Sequence, residues 1–83
     1  MAVLIQVILV SDHVRSKING RHRLSEEDVV DVCASYDRAV FEDDDDRGLR
    51  LLIRGSLVSG REVRVVLYPV APEERVWRLG TAF

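Results

Sequence analysis

The chain contains a single cysteine and no long hydrophobic run, and each of these shortages excludes a class of protein. Its single cysteine, Cys33, can form no intrachain disulfide, which fits a reducing compartment. The apolar run at residues 2–10 is too short to span a bilayer, and it lacks the basic leader and cleavage pattern of a signal peptide. We therefore expect a cytoplasmic protein without a membrane partner.

Positive charge is not in excess either. Twelve Lys and Arg residues against 14 Asp and Glu residues give a net charge of −2, whereas a protein that mainly coats nucleic acid is normally basic. The acids cluster at residues 26–31 and 42–46, and the bases cluster at residues 15–23 and along the later part of the chain. This segregation still allows a local basic face.

The hydrophobic pattern predicts one domain over residues 1–83, because 47% of the residues are hydrophobic and 31% are charged. Residues 3–10 are β-branched or leucine apart from one polar interruption at Gln6, a composition typical of a strand that is covered on both faces or lies in an interface. Ser11-Asp12 caps a first short helix that Asn19-Gly20 would end. Ser25, followed by three acids, begins a second helix whose buried stripe includes Cys33.

After residue 37 the hydrophobic period changes to two, which indicates strands. The expected fold class is α+β, in the order β-α-α-β-β-β-β, with two short helices packed on a mostly antiparallel sheet. Pro69 and Pro72 are expected to hold a loop open before the last strand, and Gly55 to mark a bulge or sharp twist. The remaining strands are predicted at residues 38–42, 48–58, 62–68 and 75–82, with a charged loop at 43–47 and a tight turn at Ser59-Gly60.

Alternation along the predicted central hairpin gathers basic side chains on one face of the sheet. If Leu49, Leu51 and Ile53 pack under the helices, the opposite face carries Arg50, Arg54, Arg64 and Tyr68. Guanidinium groups beside a phenol suit a phosphodiester, because the planar fork matches phosphate oxygens. The alternative is a solvated outer face, since such faces of antiparallel sheets are normally polar.

His13 and His22 flank the basic segment 15–23 and are candidates for proton transfer near neutral pH. Either histidine can equally be an exposed helix-end residue. The acidic run 42–46 has the carboxylates of a metal site, but it lacks the spaced ligands of a calcium loop. A solvated loop, or a segment that docks onto a basic partner, is therefore favoured. Cys33 on the buried stripe is expected to be a small core residue rather than a nucleophile.

Four stretches resemble the BrnT-like toxins of the RelE superfamily. The sequence Arg-His-Arg-Leu-Ser-Glu-Glu-Asp-Val at residues 21–29 is similar to that family's basic residue and histidine before a capped acidic helix, and His13 followed by Arg15 resembles relatives in which a histidine opens the first helix. Arg54-Gly55 and the closing stretch 76–82 are similar to the family's sheet and its final Arg-apolar-apolar-Ser/Thr-Ala-Arg signature.

The resemblance implies a compact ribonuclease that cleaves RNA without a metal or other cofactor, and an antitoxin protein that covers its active surface. Residue by residue, Arg21 and His22 match the basic-histidine pair, and Arg78 and Thr81 match the closing signature. Phe83 stands where that signature ends in arginine. In the toxin hypothesis His22, His13 and Tyr68 are catalytic, while Arg21, Arg50, Arg54, Arg64 and Arg78 bind RNA phosphate.

The departures from the family pattern leave a second hypothesis open. Net acidity, Phe83 in place of arginine and an N-terminal strand that is apolar on both sides fit a non-catalytic relative that binds protein. Such a module would form a homodimer through the N-terminal strand or a sheet edge. The sequence therefore predicts either a type II toxin-antitoxin endoribonuclease or a RelE-like binding module.

Overall fold

The computed structural model describes residues 5–46 and 48–83. It contains two helices and five strands in the predicted order, so the α+β class is confirmed. The first strand is short and is followed directly by the two helices, and the other four strands come after them. The elements are β1 (Val7–Leu9), α1 (Asp12–His22), α2 (Glu26–Ala34), β2 (Arg38–Asp44), β3 (Gly48–Ser56), β4 (Glu62–Ala71), a 3-10 turn (Pro72–Glu74) and β5 (Val76–Ala82).

The five strands form one sheet in the order β1-β5-β4-β3-β2. β2 to β5 pair with their chain neighbours in antiparallel fashion, as the alternating pattern predicts, whereas β1 pairs with β5 in parallel. The first and last strands are thus adjacent, and α1 and α2 form the crossover between the two ends of the sheet. Strand β1 and strand β2 are the two edges.

Both helices begin where their capping residues predict. Ser11 accepts from the Val14 N–H, and Ser25 forms a reciprocal capping box in which its side chain and that of Asp28 each accept from the other's backbone N–H. The predicted end of α1 at Asn19-Gly20 is wrong, because the helix continues to His22.

The later end of α1 follows from side-chain burial. Arg23 adopts left-handed backbone with φ 53°, and its N–H donates to the Asn19 carbonyl. The Leu24 N–H donates to the Ile18 carbonyl over 3.0 Å, and both of these side chains are buried. A helix that ended at Gly20 would lose this hydrogen bond between two core residues. Arg23 adopts the left-handed conformation that ends the helix, so no glycine is needed at that position.

The core lies between the two helices and one face of the sheet. Gly55 marks the place where α2 crosses β3 closely, rather than the expected bulge: a Cβ at this position would come within 3.1 Å of Val32 Cγ1, and the β3–β4 register runs through it without a shift. The buried side chains come from every layer: Ile18, Leu24, Val29, Val32, Cys33, Leu51, Ile53, Val63, Val65, Leu67, Trp77, Leu79 and Ala82.

Three further boundaries differ from the sequence prediction. Strand β3 ends at Ser56 instead of at residue 58. Strand β4 continues through Pro69 to Ala71 instead of ending in an open loop, and the register shifts between those two residues. The pairing of β3 with β4 ends at Leu51 opposite Leu67, so Pro69 lies beyond the last residue that pairs with β3. The strand tolerates the proline because no hydrogen bond to β3 requires its missing N–H. Asp43 and Asp44 belong to β2, which leaves a shorter acidic turn than expected.

The predicted N-terminal strand at residues 3–10 is confirmed only in part. Its described portion is strand at Val7–Leu9, and residues 3 and 4 lie outside the described residues. Within the described part of the chain, neither helix has the length and apolar character needed to cross a membrane.

Candidate functional site

The face of the sheet opposite the helices carries three rows of side chains. Alternate residues along each strand point to this face, and residues paired across strands lie side by side on it. Rows that are two residues apart along a strand are separated by about 7 Å, and neighbouring strands by about 4.8 Å. The pairing of β2, β3, β4 and β5 therefore fixes which side chains meet there.

The first row, called the arginine row here, consists of Arg38, Arg54 and Arg64. Arg38 pairs with Arg54 between β2 and β3, and Arg54 pairs with Arg64 between β3 and β4. Within this row, and among the described residues, only Arg64 has an ionic partner, Glu62, with 3.6 Å between the charged atoms. Like charges directly opposite each other on a sheet are destabilising, so three guanidinium groups in register have a cost that an anion would relieve.

The second row is apolar and forms the floor of a groove. Val40 pairs with Leu52, Leu52 with Val66, and Val66 with Thr81. The groove above this row has a volume of about 460 Å³. The arginine row lies along one side of it, and a fourth guanidinium, Arg50, stands on the other. The side chains that line the groove include Arg38, Val40, Arg50, Leu52, Arg54, Arg64, Val66, Thr81 and Phe83.

The third row is a network of hydrogen bonds and ion pairs around Arg50. The Arg50 guanidinium donates to the Glu42 carboxylate and to the Tyr68 hydroxyl, and it lies 3.6 Å from Asp44 Oδ2. These hydrogen bonds, with that to Glu42 the strongest influence, raise the pKa of Arg50 above its ordinary value. The Tyr68 O–H donates to Asp44 over 3.4 Å. Arg50 is thus held in position before any ligand arrives.

Arg78 extends this network toward β5. It pairs with Tyr68 across the strands, and its guanidinium carbon lies 5.1 Å from the centre of the Tyr68 ring, within reach of a cation–π interaction. Tyr68 itself is only 6% exposed. Its ring is therefore fixed between Arg78 and the Arg50 network, and it offers little surface to a ligand.

The structure brings some of the sequence-predicted site residues together and leaves others apart. Arg50, Arg54, Arg64 and Tyr68 share the open face, as the alternation predicts. Arg78, which is a candidate only through the family resemblance, lies beside Tyr68 on the same face.

Residues from α1 lie elsewhere. His13 and Arg21 line a shallow depression on the outer surface of α1, together with Ser16 and Lys17. His22 is the exception, because its ring centre lies 6.2 Å from that of Phe83, which lines the groove. Of the candidate residues on α1, only His22 contacts a residue that lines the groove on the open face.

The sequence prediction missed one charged and one aromatic residue of the groove, Arg38 and Phe83. Arg38 begins β2, and its place in the arginine row follows only from the β2–β3 register. Phe83 continues the line of β5, where its backbone pairs with Arg64 through two hydrogen bonds of 2.8 and 2.9 Å. In the sequence, Arg38 is only an arginine at the start of a strand, and Phe83 is only an aromatic residue two positions beyond Thr81. Neither pattern indicates a place in the groove until the strand pairing is known.

Comparisons of this chain with models of protein families, with characterised proteins and with solved structures find no match. Among the described residues, no group of three or more His, Cys, Asp or Glu side chains is arranged to hold a metal ion. The site is therefore interpreted from its own geometry, as a groove with an apolar floor and guanidinium groups on both sides.

Proposed function

We propose that the open face of the sheet binds single-stranded RNA. The observation that carries this proposal is the arginine row, in which Arg38, Arg54 and Arg64 lie in register with little neutralising charge. Guanidinium groups match phosphate oxygens by charge and by their planar fork. A bound phosphate would offset the repulsion among the three side chains, so the site gains more from an anion than one isolated arginine would.

The shape of the groove favours a nucleic acid chain over a small anion. Its floor is apolar, the arginine row stands along one side of that floor, and on the other side Arg50 is ion-paired with Glu42 and Asp44. A nucleotide strand has this pattern, since charged phosphates alternate with sugars and flat bases. Bases in a single strand are free to contact an apolar or aromatic surface, whereas those in a duplex are already stacked and paired.

The test is a binding titration with a labelled single-stranded RNA of about ten nucleotides, followed by fluorescence anisotropy. The variant Arg54→Gln/Arg64→Gln removes two charges from the groove, and the control Lys17→Gln/Arg21→Gln removes two from the outer surface of α1. We expect the groove variant alone to weaken binding, and the slope of log K against log salt to fall by about 0.7 for each phosphate that is no longer neutralised. Equal effects of the two variants would contradict the proposal.

A narrower form of the proposal is metal-independent RNA cleavage of the RelE/BrnT toxin kind, with an antitoxin covering the same face. His22 supports it directly, because its ring lies near that of the groove-lining Phe83, whereas Tyr68 is buried and reaches the groove only through its contact with Arg50. Labelled RNA incubated with the protein in excess EDTA would be cut by the wild type and spared by the Tyr68→Phe or His22→Ala variant. Intact RNA with the wild-type protein would remove the cleavage step and leave RNA binding standing.

A second candidate function is self-association through β1. This edge strand exposes 44% of Val7 and 47% of Leu9, and it carries no charge to discourage pairing with another strand. The opposite edge, β2, carries Arg38, Glu42 and two aspartates. Light scattering at increasing concentration would show a dimer that Leu9→Lys abolishes, and a monomer at all concentrations would contradict this candidate.

A further inference from the structure

We propose that Phe83 is the residue on which an RNA base stacks, an inference that rests on the RNA-binding function proposed above. Phe83 is 46% exposed as a residue and lines the groove. A half-exposed aromatic ring beside phosphate-binding arginines is the usual composition of a single-strand binding surface, in which the backbone follows the charges and the bases stack on the rings.

The ring is held at a fixed place relative to the arginine row. The Phe83 N–H donates to the Arg64 carbonyl over 2.9 Å, and the Arg64 N–H donates to the Phe83 carbonyl over 2.8 Å. Phe83 and Arg64 are thus direct cross-strand neighbours on the open face. A nucleotide whose phosphate contacts Arg64 would place its base within reach of the ring, without any rearrangement of the sheet.

Contacts with α1 brace the ring further. The His22 ring lies 6.2 Å from it, centre to centre, at an angle of 49°. His22 is itself held at the C-terminal end of α1, where its carbonyl accepts from Arg61 Nη2 over 2.6 Å. Because the ring is supported in this way, a base that stacks on it would order little additional protein.

Phe41 provides a matched comparison within the same molecule. It is also a half-exposed phenylalanine, at 51%, but it pairs with Leu51 and so lies on the face that the helices cover, 6.2 Å from Trp77. Exposure of an aromatic ring is therefore not unique to the groove. The proximity to Arg64 distinguishes Phe83, and it predicts that only this phenylalanine contributes to binding of a base.

The proposal is tested with Phe83→Ala, Phe83→Trp and the control Phe41→Ala, using the labelled single-stranded RNA and a labelled inorganic polyphosphate of similar charge. Phe83→Ala is expected to bind the RNA about 5- to 150-fold more weakly, the usual effect of removing one base stack. Its affinity for polyphosphate should be unchanged, because polyphosphate has no base. Phe83→Trp should retain RNA binding, and its indole fluorescence should be quenched by the RNA.

The outcomes separate this inference from the proposed function. RNA binding that Phe83→Ala leaves unchanged would overturn the stacking role while the arginine row still binds phosphate. An equal loss for RNA and polyphosphate would also overturn it, because the ring would then only support the position of Arg64. Wild-type protein that binds neither polymer would overturn the RNA-binding function itself. A Phe41→Ala variant that matches Phe83→Ala would contradict the assignment to one face.

Discussion

Replacing Arg54 with glutamine is expected to make the free protein more stable and to weaken its binding to RNA. Arg54 is the middle member of the arginine row, with Arg38 opposite it on one side and Arg64 on the other. A like-charged pair at directly opposed positions of a sheet is destabilising by roughly 0.2–1 kcal/mol. Glutamine keeps much of the side-chain length and removes both repulsive pairs.

The magnitude follows from those two pairs and from their exposure to solvent. Two pairs would give a gain of roughly 0.4–2 kcal/mol in the free energy of unfolding, and salt screening places the expected value in the lower half of that range. For a domain of this size, 1 kcal/mol corresponds to about 4–8 °C in Tm. The sign of the change in the free energy of unfolding distinguishes local from overall repulsion. The substitution changes the net charge from −2 to −3, so repulsion averaged over the whole molecule would predict a loss of stability.

Urea unfolding at low salt and again near 1 M salt measures this effect. The gain should shrink at high salt, where the screening length is only about 3 Å. Arg21→Gln makes the same change of charge on α1, away from the groove, and should shift stability by less than about 0.5 kcal/mol. A destabilised Arg54→Gln protein, or a gain independent of salt, would show that the arginines do not repel one another as the register indicates.

Three further outcomes test the fold. Gly55→Ala should destabilise the protein by about 1–3 kcal/mol in urea unfolding, because its Cβ would meet Val32 Cγ1 at 3.1 Å under α2; Gly20→Ala, where nothing lies within 4 Å of the new Cβ, should not. Ser25→Ala should cost about 0.5–2 kcal/mol through loss of the capping box, measured in the same way. Burial raises the pKa of the Cys33 thiol to about 12, so the thiol stays protonated at neutral pH and should react with a disulfide reagent only after unfolding; rapid modification of the folded protein would contradict this.

Local chemistry explains which parts of the fold could be predicted. Ser25 and the three acids after it specify a helix start within four residues, and alternation within β3 and β4 places Arg50, Arg54, Arg64 and Tyr68 on one face. Both signals depend only on near neighbours in the chain. The arginines and the tyrosine of the candidate site are therefore found together, although their binding role stays a prediction.

Features that depend on distant pairing could not be predicted in the same way. The parallel contact of β1 with β5 joins strands from the two ends of the described chain. Arg38 enters the arginine row only because the β2–β3 turn sets the register that places it opposite Arg54. A shift of one residue would turn Arg38 to the other face, and neither hydrophobic period nor charge fixes that choice in a strand with mixed side chains.

The distribution of charge over the three rows reconciles the net acidity of the chain with the proposed binding of a polyanion. Glu42 and Asp44 lie on the same face as the arginine row, but they hold Arg50, two rows and about 14 Å along the strands from Arg38 and Arg54. At physiological salt the screening length is about 8 Å, so these acids do little to neutralise the arginine row. A strand of RNA that reached the groove would meet three guanidinium groups in one row, whereas the rest of the chain has a net negative charge. Binding should accordingly be confined to this face, unlike the diffuse attachment of a uniformly basic protein.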